Sequence, residues 1–450
     1  MGVGGAGMSG LARIMLARGL AVSGCDAKES AALAALRALG ADIAVGHDPG
    51  HAAMADTVVV SSAIRASNPE LVQAREAGLR VLPRAAALAS LMADRIGLAI
   101  AGTHGKTTTT SMLTVAMHAC GRDPSYAIGG DLNEPGSNAH HGSGDYFVAE
   151  ADESDRSFLL LSPRGAVITN VEPDHLDNYG DAGAVSAAFE DFVRRIEPGG
   201  PLLLGADDPG SLELAGLGRA RGLEVRTFGV APDADVRVEA LNLRGAGSTF
   251  DLVAGGRRLG QVELTVPGEF NAVNAAGALG LGLAIGLPFA DMARGLAGFS
   301  GARRRFELKG IAGGVRVFDD YAHHPTEVAR GAMAAARGAA TDGRVIAVFQ
   351  PHLYSRTERF AVDFGEALGA ADEVVVMEVY AAREDPLPGV TGNLIAAAVP
   401  LPEDRVHFEP SWSAVPALVA GLARPGDVVV TIGAGDVTML GAAILDELSG

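Results

Sequence analysis

Residues 102–110 read GTHGKTTTT and follow directly on the apolar run Leu98–Ala101. Glycines in that place let successive backbone N–H groups turn toward phosphate oxygens, and a helix starting there points its positive end at the same spot. Gly102, Thr103, His104 and Gly105 make the loop. Lys106 can reach the β- and γ-phosphates of a nucleotide, the Thr107 hydroxyl can hold Mg²⁺, and Thr108 carries the helix on. The match to the usual phosphate-loop pattern is incomplete, since Ile100 stands where that pattern has its first glycine. The plain alternative is a glycine-rich turn with a surface lysine.

Two acidic clusters come next. The run YFVAE ends at Glu150 and continues ADESD, and AVITNV leads into EPDHLDNYG, where His175 is flanked by Glu172, Asp174 and Asp177. A carboxylate at the C-terminal end of a strand beside a phosphate loop is where a Mg²⁺ ligand belongs. Taken alone, Asp152, Glu153 and Asp155 also read as a solvated acidic turn, and His175 as loop surface. At the N-terminus Gly2, Gly4 and Gly7 stand in the order G-x-G-x-x-G, and Asp26 closes the run AVSGCD. That pair equally suits the dinucleotide site of an NAD-dependent dehydrogenase, a reading that leaves Gly-Lys-Thr and both acidic clusters unexplained.

These residues need a scaffold of alternating strands and helices. Ala-rich helical stretches alternate with short Val/Ile/Leu runs almost throughout, the signature of βαβ units and parallel sheets. The pattern predicts a helix over Met8–Arg18, a strand over Leu20–Gly24, a helix over Glu29–Leu39 and a strand in TVVVSSAI. It then predicts the strand Leu98–Ala101 and a helix from Lys106 to about His118. Period-2 alternation from Asp235 to Val266 predicts a β-rich insert, and Ala275–Ala290 reads as a buried helix too short to span a membrane. From about 301 the alternation restarts with VRVFDD, VIAVFQ, EVVVMEVY and DVVVTIGAG. The expectation is α/β throughout, in three domains in series, over 1–92, 93–300 and 301–450.

Net charge is −18, which argues against nucleic acid or an anionic membrane as a general partner, so an anionic ligand must meet local cations and backbone donors. Only Cys25 and Cys120 are present, too few for a disulfide framework or a cysteine zinc site. With no charged leader before an apolar stretch, this fits a cytoplasmic protein.

Taken together, GTHGKTTTT, EADESD, NVEPDHLD, FNAVNAAGAL, GARRRFE, DDYAHHPTEV and QPHLYSRT are similar, in this order, to the motifs of the Mur ligases, the ATP-dependent amide-forming enzymes of peptidoglycan synthesis. The resemblance covers essentially the whole chain. It implies a Rossmann-like UDP-sugar domain, a central phosphate-loop ATPase domain with a parallel sheet, and a C-terminal Rossmann-like α/β domain presenting the amino acid. Its nearest form joins L-alanine to UDP-N-acetylmuramate through an acyl phosphate; the rival within the family attaches a recycled tripeptide to the same UDP-sugar. A nucleotide-dependent binding module without turnover is a further alternative, disfavoured by the retained Lys106, Glu150, His175 and His323.

By the resemblance, Lys106 stabilises the transferring phosphoryl, Thr107 and Glu150 hold one Mg²⁺, and His175 is a ligand of a second. Asn271, Asn274 and Arg305 contact ATP, with Arg303 and Arg304 solvated. Gly2, Gly4, Gly7, Met8, Ser9, Asp26, Ser61 and Ser62 serve the UDP-sugar. Tyr321, His323, His352, Tyr354 and Arg356 line the amino-acid side, His323 and Arg356 being catalytic. The chain departs from the family at Leu353, where arginine is common. It is expected to act as a monomer or weak homodimer.

A G-x-G-x-x-G turn normally follows a buried central strand, and here only Met1 precedes it. Losing about five buried apolar side chains forfeits roughly 1.5–3 kcal/mol each. The expectation is that the natural chain starts upstream of Met1 by about a dozen residues or more.

Overall fold

The computed structural model describes residues 1–130, 137–244, 247–340, 343–382 and 384–450, without the side chains of Asp177 and Arg244. The chain divides into two compact units. The first comprises Met1–Glu239, Asp251–Val262 and Val273–Phe299; the second comprises Ala240–Phe250, Glu263–Ala272 and Ser300–Gly450. The expected N-terminal block and the phosphate-loop block thus share one unit. No helix among the described residues is long and apolar enough to cross a membrane.

The chain opens with helix α1 (Ala6–Ala17), strand β1 (Ser23–Asp26), helix α2 (Ala31–Ala38) and strand β2 (Asp42–Val45). Strand β3 (Thr57–Val60), helix α3 (Pro69–Glu76), strand β4 (Arg80–Pro83) and helix α4 (Arg84–Met92) follow. The first strand lies later than Leu20–Gly24, because Leu20 is solvent-facing and pairing with β2 starts at Ser23. β1 pairs in parallel with β2, and β3 with β4, as separate two-stranded sheets. The first residues bridge them: Gly2 N and Val3 N donate to Cys25 O, the Met1 ammonium donates to Val59 O at 2.7 Å, and Ser61 N donates to Met1 O.

Strand β5 (Ile96–Ala101) feeds the phosphate loop and helix α5 (Lys106–Ala119). Strands β6 (Ser125–Ala127), β7 (Ala139–His140), β8 (Tyr146–Glu150) and β9 (Gly165–Ile168) follow, with the one-turn helix α6 (Leu176–Tyr179) after β9. Strands β10 (Pro201–Gly205) and β11 (Glu224–Gly229) complete the parallel part, and β12 (Val236–Arg244), β13 (Gly247–Ala254) and β14 (Arg257–Leu264) supply the expected β-rich insert. The sheet order is β14-β13-β12-β11-β10-β9-β5-β8-β6-β7. In β5 five consecutive residues are buried, and the strand is paired in parallel on both sides. A strand covered on both faces reads as a continuous apolar run, which is why this one was visible in sequence. The buried stretch near Ala275 is two helices, Glu269–Ala284 and Phe289–Leu296, divided at Gly286 and Pro288, which have left-handed and extended backbone.

In the second unit β15 (Glu307–Ala312), β16 (Val315–Asp320), β17 (Val345–Phe349), β18 (Glu373–Val376), β19 (Val406–Phe408) and β20 (Val428–Ile432) form a sheet of order β15-β16-β20-β17-β18-β19. Only β15 runs antiparallel. Phe306, Phe318, Met333 and Phe349 anchor one face, and Val317, Val348, Val429 and Ile444 the other.

Candidate active site

In the first unit the three central strands β9, β5 and β8 are neighbours, so their C-terminal ends present the loop 102–107, Glu150 and the segment to His175 side by side. That adjacency is what draws together motifs separated by tens of residues.

The loop backbone is held from β9. Thr103 N donates to Asn170 O, His104 N to the Asn170 side-chain oxygen at 2.8 Å, and the Thr169 hydroxyl to His104 O at 2.5 Å. The Thr103 hydroxyl accepts from Glu172 N at 2.9 Å. Gly102 has φ +130°, and a Cβ there would fall on the Thr169 hydroxyl and within 2.9 Å of its backbone nitrogen. At Gly105 (φ +83°) a Cβ would come within 2.6 Å of the Asn274 side-chain oxygen, which puts that asparagine against the loop. Thr107 and Thr108 are buried in the first turn of α5.

Lys106 is no surface lysine. Its Nζ donates to Gly102 O (2.8 Å) and Thr103 O (3.0 Å), and its ion pair with Glu153 closes to 2.8 Å. Glu153 is 2% exposed, so the solvated-turn reading of the ADESD segment fails at this residue; Asp155 does face solvent. Burial pushes Glu153 up to about 7 against the pull of Lys106. Burial alone would lower the lysine, but the carboxylates of Glu153, Asp152 and Glu150 outweigh it and hold the ammonium above its ordinary value. The His175 Nε2 lies 3.6 Å from both Glu153 and Asp174, at a left-handed backbone position. Glu150 accepts from Gly129 N at 2.8 Å.

At the N-terminal turn Gly4 N donates to the Asp26 carboxylate at 2.9 Å, and a Cβ on Gly4 would meet the same oxygen. Gly7 lies against the Arg84 side chain, which pairs with Asp152 at 3.5 Å. A small cleft lined by Gly7, Arg84, Gly129, Asn138, Glu150 and Asp152 lies beside this turn and reaches Glu150 at the end of β8. Ser61 touches Gly2, and Ser62 is exposed. Met8 and Ser9 are buried in α1, and the Ser9 hydroxyl donates back to Ala6 O. Neither is presented to the cleft surface in this arrangement.

The second unit carries its own cluster. The Tyr321 and His323 rings meet edge-on at 5.3 Å, His323 and His352 at 6.2 Å, and His352 stacks on Tyr380 at 5.8 Å. His323 N donates to Glu327, which also pairs with Arg305 at 3.9 Å. Tyr354 and Arg356 open the helix Tyr354–Leu368, with Arg356 buried. Asn271 is buried and its amide donates to Pro267 O. Arg304 is not solvated: it donates to the buried Asp319 and to Gly433 O and lies over the Tyr321 ring, so it ties the ends of β16 and β20 together. Asp320, which the motif reading passed over, accepts from Phe306 N and Ala322 N and is pushed up to about 6 by burial. Leu353 sits at φ +72° and is 7% exposed, so the arginine common in the family would here carry its charge into a buried, strained position.

Three family models match the chain in series: "Mur ligase family, catalytic domain" over residues 1–96, "Mur ligase middle domain" over 100–282 and "Mur ligase, glutamate ligase domain" over 304–435. UDP-N-acetylmuramate–L-alanine ligase of Acidothermus cellulolyticus is 59% identical over 449 residues, covering 100% of this chain and 94% of that protein. The protein of the same name from Saccharopolyspora erythraea is 58% identical, covering 100% and 92%. Among solved structures, UDP-N-acetylmuramate–alanine ligase of Thermotoga maritima superposes with a TM-score of 0.82 at 28% identity, covering 99% of this chain and 97% of that one. A murein peptide ligase of Psychrobacter arcticus shares the fold, with a TM-score of 0.70 at 24% identity over 100% and 98%. A phosphate loop, two acidic strand ends and a glycine turn, matched end to end in this way, place the chain in the Mur ligase family.

Proposed function

We infer that this chain joins L-alanine to the carboxylate of UDP-N-acetylmuramate with consumption of ATP, in peptidoglycan precursor synthesis. The observation that carries this is the full-length identity of 54–59% to relatives bearing that activity in their names. The phosphate loop and its buried lysine supply the chemistry such a reaction needs.

A carboxylate does not react with an amine unaided, because its oxygen is a poor leaving group. Transfer of the γ-phosphoryl group to that oxygen releases ADP and leaves an acyl phosphate. The alanine nitrogen then attacks the carbonyl carbon, phosphate departs with the former carboxylate oxygen, and the nitrogen loses its proton. Both steps gather negative charge on oxygens, so positioned cations and N–H donors do most of the work. We assign Lys106 to the transferring phosphoryl; to reach it, the lysine exchanges Glu153 for phosphate oxygen. Asn271, Asn274 and Arg305 are assigned to the nucleotide, the Gly2–Gly7 turn with Asp26 and Ser61 to the UDP-sugar, and Tyr321, His323, His352, Tyr354 and Arg356 to the amino-acid side.

The residues fit Mg²⁺. Glu150 at the end of β8 and Thr107 in the first turn of α5, which follows the neighbouring strand β5, offer the hard oxygen donors that ion takes, with His175 a candidate for a second ion. Bound there, Mg²⁺ would neutralise charge on the nucleotide phosphates. The proposed compartment is the cytoplasm, where ATP is available. ADP release measured with UDP-N-acetylmuramate and L-alanine, against the same mixture with tripeptide in place of alanine, tests the assignment. Turnover that requires alanine supports it, and turnover only with tripeptide contradicts it.

A further inference from the structure

Behind the N-terminal glycine turn lies a cluster that none of the ligase chemistry uses. Cys25 comes from β1, His47 from the end of β2, His51 from the short turn after it, and Glu70 from the first turn of α3. Cys25 is 3% and Glu70 is 1% exposed. The Cys25 thiol donates to Glu70 Oε2 at 2.7 Å and lies 3.4 Å from His47 Nδ1. His47 Nδ1 is 2.9 Å from Glu70 Oε2, and His51 Nδ1 is 2.5 Å from Glu70 Oε1. The donor atoms of Cys25, His51 and Glu70 all fall within 4.8 Å of one another.

We propose that Cys25, His51 and Glu70 form a binding site for a zinc-class divalent ion, with His47 beside the sulfur and the carboxylate. One sulfur, one imidazole nitrogen and one carboxylate oxygen make a mixed donor set of the kind Zn²⁺ takes, with a fourth position left for His47 or water, and thiolate with imidazole selects against Mg²⁺. Metal–ligand bonds of about 2.0–2.3 Å separate tetrahedral ligands by roughly 3.3–3.7 Å. The sulfur–His47 spacing is already in that range, and the shorter contacts to Glu70 need to open by about an ångström or less once the ion replaces the shared protons. Binding releases the thiol proton to solvent, and the thiolate and carboxylate then balance the ion's charge. His51 is half exposed, which gives the ion a way in.

The site would staple four segments that otherwise meet through hydrogen bonds and a small apolar cluster that includes Ala52 and Ala74. Cys25 adjoins Asp26, whose carboxylate holds Gly4, so the ion would stiffen the turn assigned to the UDP-sugar. The site itself does not depend on that assignment.

The test is Co²⁺ titration of Cys120→Ser protein, which removes the other thiol and leaves Cys25 as the sole thiol. One equivalent of Co²⁺ is expected, with a thiolate-to-cobalt charge-transfer band and tetrahedral d–d absorption that Zn²⁺ displaces. Adding Cys25→Ser should abolish the band, and adding His51→Gln should weaken binding by tenfold or more, as should Glu70→Gln. Zn²⁺ should raise the melting temperature of Cys120→Ser protein and leave Cys25→Ser/Cys120→Ser unmoved. Absence of the band, or one equivalent bound equally well by both of those proteins, overturns the site. Because His51 is a half-exposed side chain, His51→Gln keeps the fold and remains informative even if Glu70→Gln does not fold.

Discussion

The first unit holds two glycine-rich turns built for anionic ligands, and their foundations differ. The loop 102–107 leaves a strand buried along five residues and paired on both sides, and Thr169 and Asn170 of the next strand end grip its backbone. The Gly2–Gly7 turn is tied to β1 and β3 through a few hydrogen bonds, from Gly2 N and Val3 N to Cys25 O and between Met1 and both Val59 and Ser61. Those strands belong to two-stranded sheets with mostly half-exposed residues. A glycine motif supplies the freedom to approach a phosphate, while rigidity comes from the strands behind it. Alanine at a loop glycine should therefore break the fold, and alanine at a turn glycine should mainly weaken ligand binding.

The largest effect is expected at Gly102→Ala. A Cβ there meets backbone as well as the Thr169 hydroxyl at a positive φ, so nothing soft can yield. We expect a loss of about 4 kcal/mol or more by chemical denaturation, or no folded protein. A variant melting within a few degrees of wild type would remove the rigid side of the comparison.

Lys106→Ala comes next. Loss of one positioned donor to transition-state charge costs about 10²–10³ in kcat. It also strands the buried Glu153 carboxylate, at a cost of about 1–3 kcal/mol. Adding Glu153→Gln should recover much of the melting temperature and none of the rate. Recovery of rate in the double variant would show that Lys106 acts only by packing.

The pH dependence of stability reports on the loop site. Burial raises Glu153 in the folded state above its unfolded value of 4.5, so its contribution is full below that value and is lost as pH rises through about 7. Relative to Glu153→Gln, the wild type should lose roughly 3 kcal/mol between pH 4.5 and 8. A Glu153→Gln difference that is flat with pH would contradict this assignment.

The smallest effect is expected at Gly4→Ala. Its Cβ meets the ends of the Asp26 and Ser30 side chains, which can swing away. The KM for the UDP-sugar should rise about tenfold, some 1.4 kcal/mol, with little change in melting temperature. Unfolding would show that this turn is as constrained as the other.

The same contrast explains what the sequence disclosed. β5 and its loop were legible because a doubly covered strand is a continuous apolar run and Gly-Lys-Thr has few other uses. The β-rich insert was legible for a different reason, the period-2 alternation from Asp235 to Val266. The burial of Glu153 was not, because ADESD has the composition of a solvated turn and only the contact with Lys106, 47 residues away, reverses it. Arg304 was hidden among three consecutive arginines until β16 and the end of β20 closed around it. The Cys25–Glu70 contact spans 45 residues and leaves no local pattern. The first strand was misplaced because β1 is short, half exposed and paired on one side within its sheet, so its periodicity is weak.

The central claim is that the muramyl carboxylate is activated as an acyl phosphate at the Lys106 loop. Turnover with UDP-N-acetylmuramate carrying ¹⁸O in both carboxylate oxygens tests it most directly, by mass spectrometry of the released phosphate. The account predicts one ¹⁸O in each phosphate formed, because the oxygen that accepts the phosphoryl group leaves with it. Phosphate released without ¹⁸O while the amide forms would contradict it.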